Sequence, residues 1–136
     1  MYEKPFLLEI IAPDRVVFRG EAGGVSAPGT EGGFQVLHSH APLLSSLRAG
    51  QLTVRNTAGV ATVFATSGGY LEVHDNRVVV LVETAERAAD IDLDRARAAK
   101  ERAERRLKSH DPAVDIARAE AALERALNRL RCGSHH

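Results

Sequence analysis

The chain has 136 residues, and its 18 Lys and Arg residues balance 18 Asp and Glu residues, so no overall charge attracts it to nucleic acid or to an acidic membrane surface. Aromatic residues make up only 4% of the chain and Trp is absent, which argues against a stacking platform for single-stranded nucleic acid. Hydrophobic residues make up 44%, which suits a folded core and argues against wholesale disorder.

No apolar run approaches the roughly 20 residues needed to cross a bilayer, so we expect no direct membrane insertion. The first residues, from Met1 to Pro5, lack the basic segment and the apolar stretch of a signal peptide. A single cysteine, Cys132, cannot form an internal disulfide, and a structural zinc site needs more ligands. These features predict a cytoplasmic protein. Residues 132–136, Cys-Gly-Ser-His-His, resemble the remnant of an expression tag.

Short β-rich segments separated by turn residues fill the first half of the chain, which predicts a β-sandwich or a β-barrel. The segments are residues 7–11, 15–18, 23–27, 33–37, 51–56, 60–67, 70–74 and 77–82. Asp75 and Asn76 separate the last two segments, and both residue types tolerate a positive φ. We therefore expect a tight two-residue hairpin turn at this point.

Two of these segments carry a specific burial pattern. In residues 51–56, Leu52 and Val54 alternate with polar side chains, so we expect one buried and one solvated face. Residues 78–82, Val-Val-Val-Leu-Val, are apolar throughout, which predicts a strand covered on both faces.

After about Ala85 the pattern changes from strands to helices. Residues 92–107 contain neither Gly nor Pro and are rich in Ala, Arg, Glu and Leu, which favours a helix. Asp111 has the chemistry of an N-cap for a second helix, with Pro112 in the first helical position and an end near Leu130.

The short break between the two helices predicts an antiparallel hairpin. The expected contact residues are Ala96, Ala99, Ala103 and Leu107 on the first helix, and Ile116, Leu123, Leu127 and Leu130 on the second. Small side chains let helices approach closely but bury little apolar area, at roughly 25 cal/mol per Å². We therefore expect a hairpin that is held weakly to itself and to the first half of the chain, and such weakness permits switching.

Five segments occur in a characteristic order along residues 6–130. They are residues 18–22 (Phe-Arg-Gly-Glu-Ala), 27–34 (Ala-Pro-Gly-Thr-Glu-Gly-Gly-Phe), 40–44 (His-Ala-Pro-Leu-Leu), 67–73 (Ser-Gly-Gly-Tyr-Leu-Glu-Val) and 84–88 (Thr-Ala-Glu-Arg-Ala). Together they resemble the epsilon subunit of bacterial F-type ATP synthases. The resemblance implies an α+β fold, with an N-terminal antiparallel β-sandwich over residues 1–87 and a C-terminal two-helix antiparallel hairpin over residues 88–131.

Residues 91–96, Ile-Asp-Leu-Asp-Arg-Ala, look like the motif Ile/Leu-Asp-x-x-Arg-Ala of those epsilon subunits that bind ATP. The resemblance implies ATP as a regulatory ligand, held by this motif, by further arginines of both helices and by the end of the sandwich. The implied ATP-binding residues are Glu86, Ile91, Asp92, Arg95, Ala96, Arg102, Arg125 and Arg129. Among them, Glu86 is a candidate acceptor for the adenine amino group.

The arginine spacing also has a geometric meaning of its own, because residues three and four apart share a helix face. One such set is Asp92, Arg95, Ala99 and Arg102 on the first helix, and another is Arg118, Ala122, Arg125 and Arg129 on the second. If the two faces are adjacent, the arginines repel one another, and a polyanion whose phosphate oxygens match the guanidinium forks relieves that repulsion. Arginines on an Ala-rich helix are, however, more often a solvated face, so the pattern also fits a surface that serves only protein contacts.

The sequence offers no convincing catalytic residue. Residues 28–33 are Gly-rich but lack the Gly-Lys-Ser/Thr ending of a phosphate-binding loop. Ser45 and Ser46 lack the Gly-x-Ser-x-Gly context of a nucleophile. We therefore predict no catalytic site.

A metal site is not expected either. His38 and His40 alternate on a strand, but no third ligand is evident nearby. Asp90, Asp92 and Asp94 form an acidic group that suits the positive end of a helix dipole better than a cation.

The resemblance implies a rotor subunit that catalyses nothing alone and lies, as a peripheral part of the ATP synthase, at the cytoplasmic face of the bacterial plasma membrane. Its implied partners are the gamma subunit, the ring of c subunits, and the alpha and beta subunits of the catalytic head. Candidate contacts with the c-ring and stalk are Glu31, Gly33 and His40. At this surface the chain departs from the family, whose members often carry an acidic residue at the place of Gly33 and Pro-Gly at the place of residues 38–39.

The implied mechanism has two parts. The sandwich couples proton-driven rotation to ATP synthesis, and the extended hairpin inhibits ATP hydrolysis, while bound ATP favours the folded hairpin. One competing hypothesis is an inhibitory stalk subunit whose arginines make only protein contacts. Another is a small nucleotide hydrolase, which would need a general base near the phosphates, usually with a metal, and the arginine-rich helices offer no clear base.

Overall fold

Residues 4–134, which the computed structural model describes, contain ten β-strands followed by two α-helices. The strands are β1 (Phe6–Ala12), β2 (Arg15–Ala22), β3 (Gly24–Gly29), β4 (Gly32–Val36), β5 (Leu43–Leu47), β6 (Gly50–Arg55), β7 (Ala61–Thr66), β8 (Gly69–His74), β9 (Arg77–Val82) and β10 (Ala85–Arg87). The helices are α1 (Leu93–Lys108) and α2 (Ile116–Ser134), and a 3-10 turn, Ala88–Asp90, precedes α1. The chain divides into two units, Met1–Arg87 with the strands and Ala88–His136 with the helices. The predicted fold class is confirmed.

The strands form one continuous sheet that folds back on itself into two layers. One layer has the order β10-β7-β6-β3, with β4 also paired to β3, and the other has the order β5-β8-β9-β1-β2. The layers are joined where Gly29 of β3 pairs with Leu47 of β5. Paired strands are antiparallel except β1 and β9, which are parallel, so the predicted antiparallel sandwich contains one parallel pair. The predicted hairpin turn is confirmed between His74 and Arg77, because Asp75 and Asn76 have φ angles of 49° and 58°.

Alternation along the strands fills the space between the layers. In β6, Leu52 and Val54 are buried and alternate with half-buried polar residues, as predicted. The largest fully buried side chain is Phe64, against which the ring of Phe18 packs edge-on at 6.4 Å between centroids. The core therefore lies between the two layers, where period-two patterning places the apolar side chains.

The prediction that residues 78–82 are covered on both faces is wrong. Val78, Val80 and Val82 are buried, whereas Leu81 is 50% exposed on the other face. The continuous apolar run reflects an apolar outer surface rather than a second covering layer. In register across four strands, Tyr70 lies beside Leu81, Leu81 beside Ile11, and Ile11 beside Val16. We call these four side chains the outer apolar row.

Two strands had no sequence prediction. The segment of β5, Leu-Leu-Ser-Ser-Leu, is short and half polar, and it becomes a strand through its pairing with β8. The segment of β10 has three residues and depends on its pairing with β7. Both are strands because of tertiary pairing, which local propensity does not report.

The prediction that Asp111 caps the second helix is wrong. The carboxylate of Asp111 accepts from the N–H of Ala113 at 2.9 Å, and its carbonyl oxygen accepts from the N–H of Val114 at 3.0 Å, which closes an isolated turn with Pro112 in its second position. The N-cap of α2 is Asp115, whose carboxylate accepts from the N–H of Arg118 at 3.1 Å.

The two helices pack through small side chains. Ala96 and Ala103 of α1 are buried, as are Ala119 and Ala126 of α2. On α1 this confirms the expected face. On α2 the leucine stripe is partly wrong, because Ile116 is 62% exposed and Leu127 is 39% exposed, while Leu123 and Leu130 are half-buried.

The end of α2 extends beyond the predicted limit near Leu130. The helix continues to Ser134, and both Cys132 and Gly133 are buried. A Cβ atom on Gly133 would meet Leu93 Cδ2 at 2.7 Å, so the last turn packs tightly against the start of α1. The interpretation of residues 132–136 as a tag remnant concerns their origin and stays a prediction, and His135 and His136 lie outside the described residues.

Candidate functional site

The start of α1 is organised by the motif residues themselves. Asp92 is the N-cap, and its carboxylate accepts from the backbone N–H of Arg95 at 3.0 Å. The N–H of Ile91 donates to the carbonyl oxygen of Ala88 at 3.3 Å, and the Ile91 side chain is buried. The motif therefore fixes the helix start, with Asp92 and Arg95 at the surface.

A repeated dipeptide sets the direction of the arginines. Arg95, Arg102, Arg118 and Arg125 each come one residue before a buried alanine of the helix interface. Successive residues are rotated by about 100° around an α-helix, so these arginines flank the packed face of each helix on the same rotational side. An antiparallel helix pair has an approximate two-fold axis perpendicular to the plane that contains both helices. Residues on the same flank of the packed face in each helix therefore lie on the same side of the hairpin.

One cavity shows this convergence directly. At the end of the hairpin near the interhelix turn, Arg106 of α1 and Arg118 of α2 line the same cavity. Arg106 follows Arg102 by four residues, and Arg129 follows Arg125 by four, so both continue the rows. We call the resulting surface the arginine side; its members are Arg95, Arg102, Arg106, Arg118, Arg125 and Arg129.

The contacts at the two ends of the hairpin fix how the rows are aligned. Arg106 shares a cavity with Arg118, and at the other end Gly133 lies against Ile91 and Leu93. Arg95 precedes Arg106 by eleven residues in α1, and Arg129 follows Arg118 by eleven residues in α2. Since both helices rise by the same amount per residue, Arg95 lies at the level of Arg129, and Arg102 lies between the levels of Arg118 and Arg125.

The four glutamates of the two helices lie away from the arginine side. Glu101, Glu104, Glu120 and Glu124 all lie on the flank opposite to the arginine side. Within residues 4–134 the guanidinium groups of Arg95, Arg102 and Arg125 have no hydrogen-bond or ion-pair partner, and all three are exposed. Arg129 is half-buried and has a partner. Like charges that are grouped without counterions favour the binding of an anion with several oxygens.

Two other residues implied for ATP binding have different surroundings. Ala96 is fully buried at the helix interface, so its place in the motif is explained by packing. Glu86 lies in β10 of the sandwich, opposite Ala65 of β7, and is half-buried with a partner.

The three candidate contact residues of the sandwich lie at opposite ends of β4. Glu31 is exposed in the turn between β3 and β4, and Gly33 is exposed near the start of β4. His40 lies beyond the other end of β4, where its ring Nδ1 is 2.7 Å from the carbonyl oxygen of Ala41. Five residues of strand span about 17 Å, so a single small contact would not include both ends of β4.

Residues 4–134 contain no cluster of three or more His, Cys, Asp or Glu side chains arranged to hold a metal ion. Over the same part of the chain, neither helix combines the length and the apolar character that a membrane span requires.

Sequence comparison decides the family. The model for the β-sandwich domain of the ATP synthase delta/epsilon chain matches residues 5–88, and the model for its long α-helix domain matches residues 89–132. The chain belongs to the ATP synthase delta/epsilon family.

Individual relatives agree with this assignment. The chain is 54% identical to the ATP synthase epsilon chain of Nitratidesulfovibrio vulgaris over 105 residues, covering 77% of this chain and 78% of the relative. It is 46% identical to the ATP synthase epsilon chain of Syntrophomonas wolfei over 108 residues, covering 79% of each. Among solved structures, a chain of the Euglena gracilis mitochondrial ATP synthase (OSCP/F1/c-ring) has a TM-score of 0.82 at 26% identity, covering 96% of this chain and 82% of that one.

Within the delta/epsilon family the chain is of the epsilon type, a non-catalytic subunit of the central stalk of the F-type ATP synthase. The predicted resemblance to the epsilon subunit is confirmed, and so is the prediction that the chain is not an enzyme on its own. The ATP motif and its ligand set stay predictions.

Arg106 is the residue of the arginine side that sequence reasoning missed. The available signal was its spacing of four from Arg102, which continues the row by one turn. The last turn of α1 also contains Arg105 and Lys108, which lie on other sides of the helix, so the sequence alone does not single out Arg106.

Proposed function

We propose that this central-stalk subunit senses ATP through four members of the arginine side, Arg95, Arg102, Arg125 and Arg129, while its hairpin is closed. It restrains ATP hydrolysis when the hairpin opens. The observation that carries the proposal is the alignment of arginines from α1 with arginines from α2 along one side, next to the helix start formed by the nucleotide-like motif. The ligand we expect is a nucleoside triphosphate, because its phosphate oxygens accept the paired N–H donors of guanidinium groups.

ATP binding is linked to closure of the hairpin because the arginines of the site come from both helices. Arg95 and Arg102 belong to α1, whereas Arg125 and Arg129 belong to α2, so the complete anion site exists only while the helices are together. A ligand that binds one state and not the other shifts the population toward that state. High ATP therefore favours the closed hairpin, and low ATP favours an open hairpin whose basic α1 is available to acidic surfaces of the alpha and beta subunits.

Calorimetric titration of the whole chain with ATP, ADP and AMP tests the sensor. We expect saturable binding in the order ATP, ADP, AMP, because each lost phosphate removes contacts with the arginine side. Equal affinity for ATP and AMP would contradict a site built around the phosphates. An absence of heat and of any spectral change with ATP, in a chain shown to be folded by circular dichroism, would leave the arginine side as a surface for protein contacts only.

A titration with intact complex extends the test to regulation. We expect hydrolysis by the ATP synthase to be inhibited at low ATP and released at high ATP. We also expect the release to need more ATP when Arg125→Gln is introduced. The matched control is Arg131→Gln, which removes the same charge from an exposed position of α2 outside the arginine side. Identical behaviour of the two variants would contradict the regulatory role.

For the sandwich, we propose that the outer apolar row is the surface on which the gamma subunit docks. Val16, Tyr70 and Leu81 are 45%, 57% and 50% exposed, which is unusual for aligned apolar side chains on one sheet face. Covering such a row removes apolar area from water and orients the sandwich on the stalk. The proposal also places rotation-coupling contacts with gamma on the β5-β8-β9-β1-β2 layer.

Charge insertion tests this docking. Leu81→Glu is expected to weaken co-purification of the chain with the gamma subunit by at least about tenfold, since one buried carboxylate without a partner costs more than 1.4 kcal/mol. Val60→Glu is the matched control, because Val60 is 62% exposed in the turn between β6 and β7. Equal retention of both variants would exclude the outer apolar row as the gamma-binding surface.

A further inference from the structure

The turn end of the hairpin contains a cavity that lies about 16 Å, or eleven helical residues, from the level of Arg95 and Arg129. The cavity has a volume of about 360 Å³ and is lined by Arg106, Ala113, Val114, Asp115, Arg118 and Ala119. With ~30 Å³ of liquid volume per water, there is room for a tetrahedral oxyanion and part of its hydration shell.

The donors around this cavity come from both helices. Arg106 is in the last turn of α1 and Arg118 is in the first turn of α2, and neither guanidinium group has a partner among residues 4–134. Each guanidinium offers a planar fork of N–H donors, the geometry that matches two oxygens of one phosphate. Two forks that reach one cavity from two helices provide a set of donors that neither helix provides alone.

The backbone adds donors of its own. The first N–H groups of α2, from Ile116 and Ala117, have no intrahelical acceptor, and no partner for them exists in the preceding turn. The one acidic side chain of the lining, Asp115, is engaged in capping, since its carboxylate accepts from the N–H of Arg118 at 3.1 Å. The lining thus carries two positive charges, one negative charge and the positive end of the α2 dipole.

From this arrangement we infer a second anion site, separate from the nucleotide site, which binds inorganic phosphate and holds the turn end of the hairpin closed. The inference rests on the cavity and its two arginines and does not depend on ATP binding. Because Arg106 and Arg118 belong to different helices, bound phosphate stabilises the closed hairpin by mass action, and the hairpin responds to phosphate concentration as well as to nucleotide.

Amide NMR of the whole 15N-labelled chain tests the inference. Inorganic phosphate is titrated at constant ionic strength, with chloride as the balancing anion. We expect saturable shifts of the Ile116 and Ala117 amides. Arg106→Gln and Arg118→Gln should each weaken phosphate binding by about tenfold or more, because each removes a charge-assisted hydrogen-bond pair. Arg105→Gln is the matched control, since it removes the same charge from an exposed position on the outer face of α1.

Each other outcome overturns the inference. Shifts that chloride reproduces at the same ionic strength would mean charge screening, and unchanged phosphate affinity in Arg106→Gln would mean that the arginines are not ligands. Amide shifts with ATP but none with phosphate would mean that the cavity receives the tail of a nucleotide instead. Arg118→Lys keeps the positive charge but loses the planar set of donors. A weakened but measurable phosphate affinity in this variant would show that the loss in Arg118→Gln does not come from misfolding.

Discussion

The carboxylate of Asp92 accepts a hydrogen bond from the backbone N–H of Arg95 at 3.0 Å. This contact joins the two charged residues that the motif Ile/Leu-Asp-x-x-Arg-Ala specifies, and it is also the N-cap of α1. Asp92 therefore stabilises the helix start whether or not a ligand is present. A loss of ATP binding on its substitution would come either from the lost cap or from a lost contact with ATP.

Substitution of Asp92 separates the two origins. Asp92→Ala should destabilise the start of α1 by about 1 kcal/mol, because the N–H of Arg95 loses its acceptor. Asp92→Ser should restore the cap, since a hydroxyl oxygen accepts the same bond. Hydrogen exchange of the Arg95 amide measures the cap, and calorimetry measures ATP affinity. Full ATP affinity in Asp92→Ser would show that the carboxylate acts only as a cap.

Arg95 is expected to contribute directly to the ATP site. Arg95→Gln should weaken ATP binding by at least about tenfold, because a charged hydrogen-bond donor to phosphate is lost. The control is Arg97→Gln: Arg97 pairs with Asp94 at 2.8 Å on the other flank of α1 and should change ATP affinity less than about twofold. If the two variants lose affinity equally, the effect comes from total charge and not from the arginine side.

Gly69 should tolerate no side chain. Its φ is 153°, and a Cβ atom would overlap the backbone carbonyl of Leu81 on the neighbouring strand β9. Gly69→Ala should therefore lower the free energy of unfolding by about 3 kcal/mol or more. Urea denaturation measures this change. Gly33→Ala is the control, since its Cβ would meet no atom closer than Ala27 O at 3.7 Å, and a change within about 0.5 kcal/mol is expected.

Ser39 and Asn76 have similar positive φ angles but should respond oppositely to glycine. Ser39 has a φ of 57° and Asn76 a φ of 58°, a conformation that glycine adopts without steric cost. Ser39→Gly should raise the free energy of unfolding by about 0.5–1 kcal/mol, because the relief of the left-handed strain exceeds the entropic cost of glycine. The Ser39 N–H would still donate to Asn76 Oδ1 at 2.8 Å. Asn76→Gly should lower it by about 1 kcal/mol, because that acceptor and the donor to Pro5 O at 3.2 Å are both lost. A stabilising effect in both variants would mean that the side-chain bonds of Asn76 contribute nothing.

The sequence was sufficient to predict eight of the ten strands and both helices, because these follow from local periodicity. It failed where two readings of the same pattern compete. The run at residues 78–82 fits either two-sided burial or an apolar outer surface, and only pairing with Tyr70 and Ile11 distinguishes them. Asp111 and Asp115 both have the chemistry of an N-cap, and the turn closed by Asp111 decides between them.

The arginine side was predictable in part. The spacing of Arg95 and Arg102, and of Arg125 and Arg129, gave the shared faces. The alignment of one helix with the other was not predictable, because it depends on contacts such as that of Gly133 with Leu93 in a turn of α2 beyond the expected helix end. The position of Glu86 on a three-residue strand likewise follows from pairing with β7 and from no local pattern.

The residues at which α1 meets α2 are mainly alanines, Ala96 and Ala103 against Ala119 and Ala126. Separating the helices would expose these methyl groups to water, whereas Arg95, Arg102 and Arg125 are exposed already. On the proposed opening, the hairpin would therefore expose less apolar surface than two helices joined through leucines, which lowers the tendency of the opened chain to self-associate.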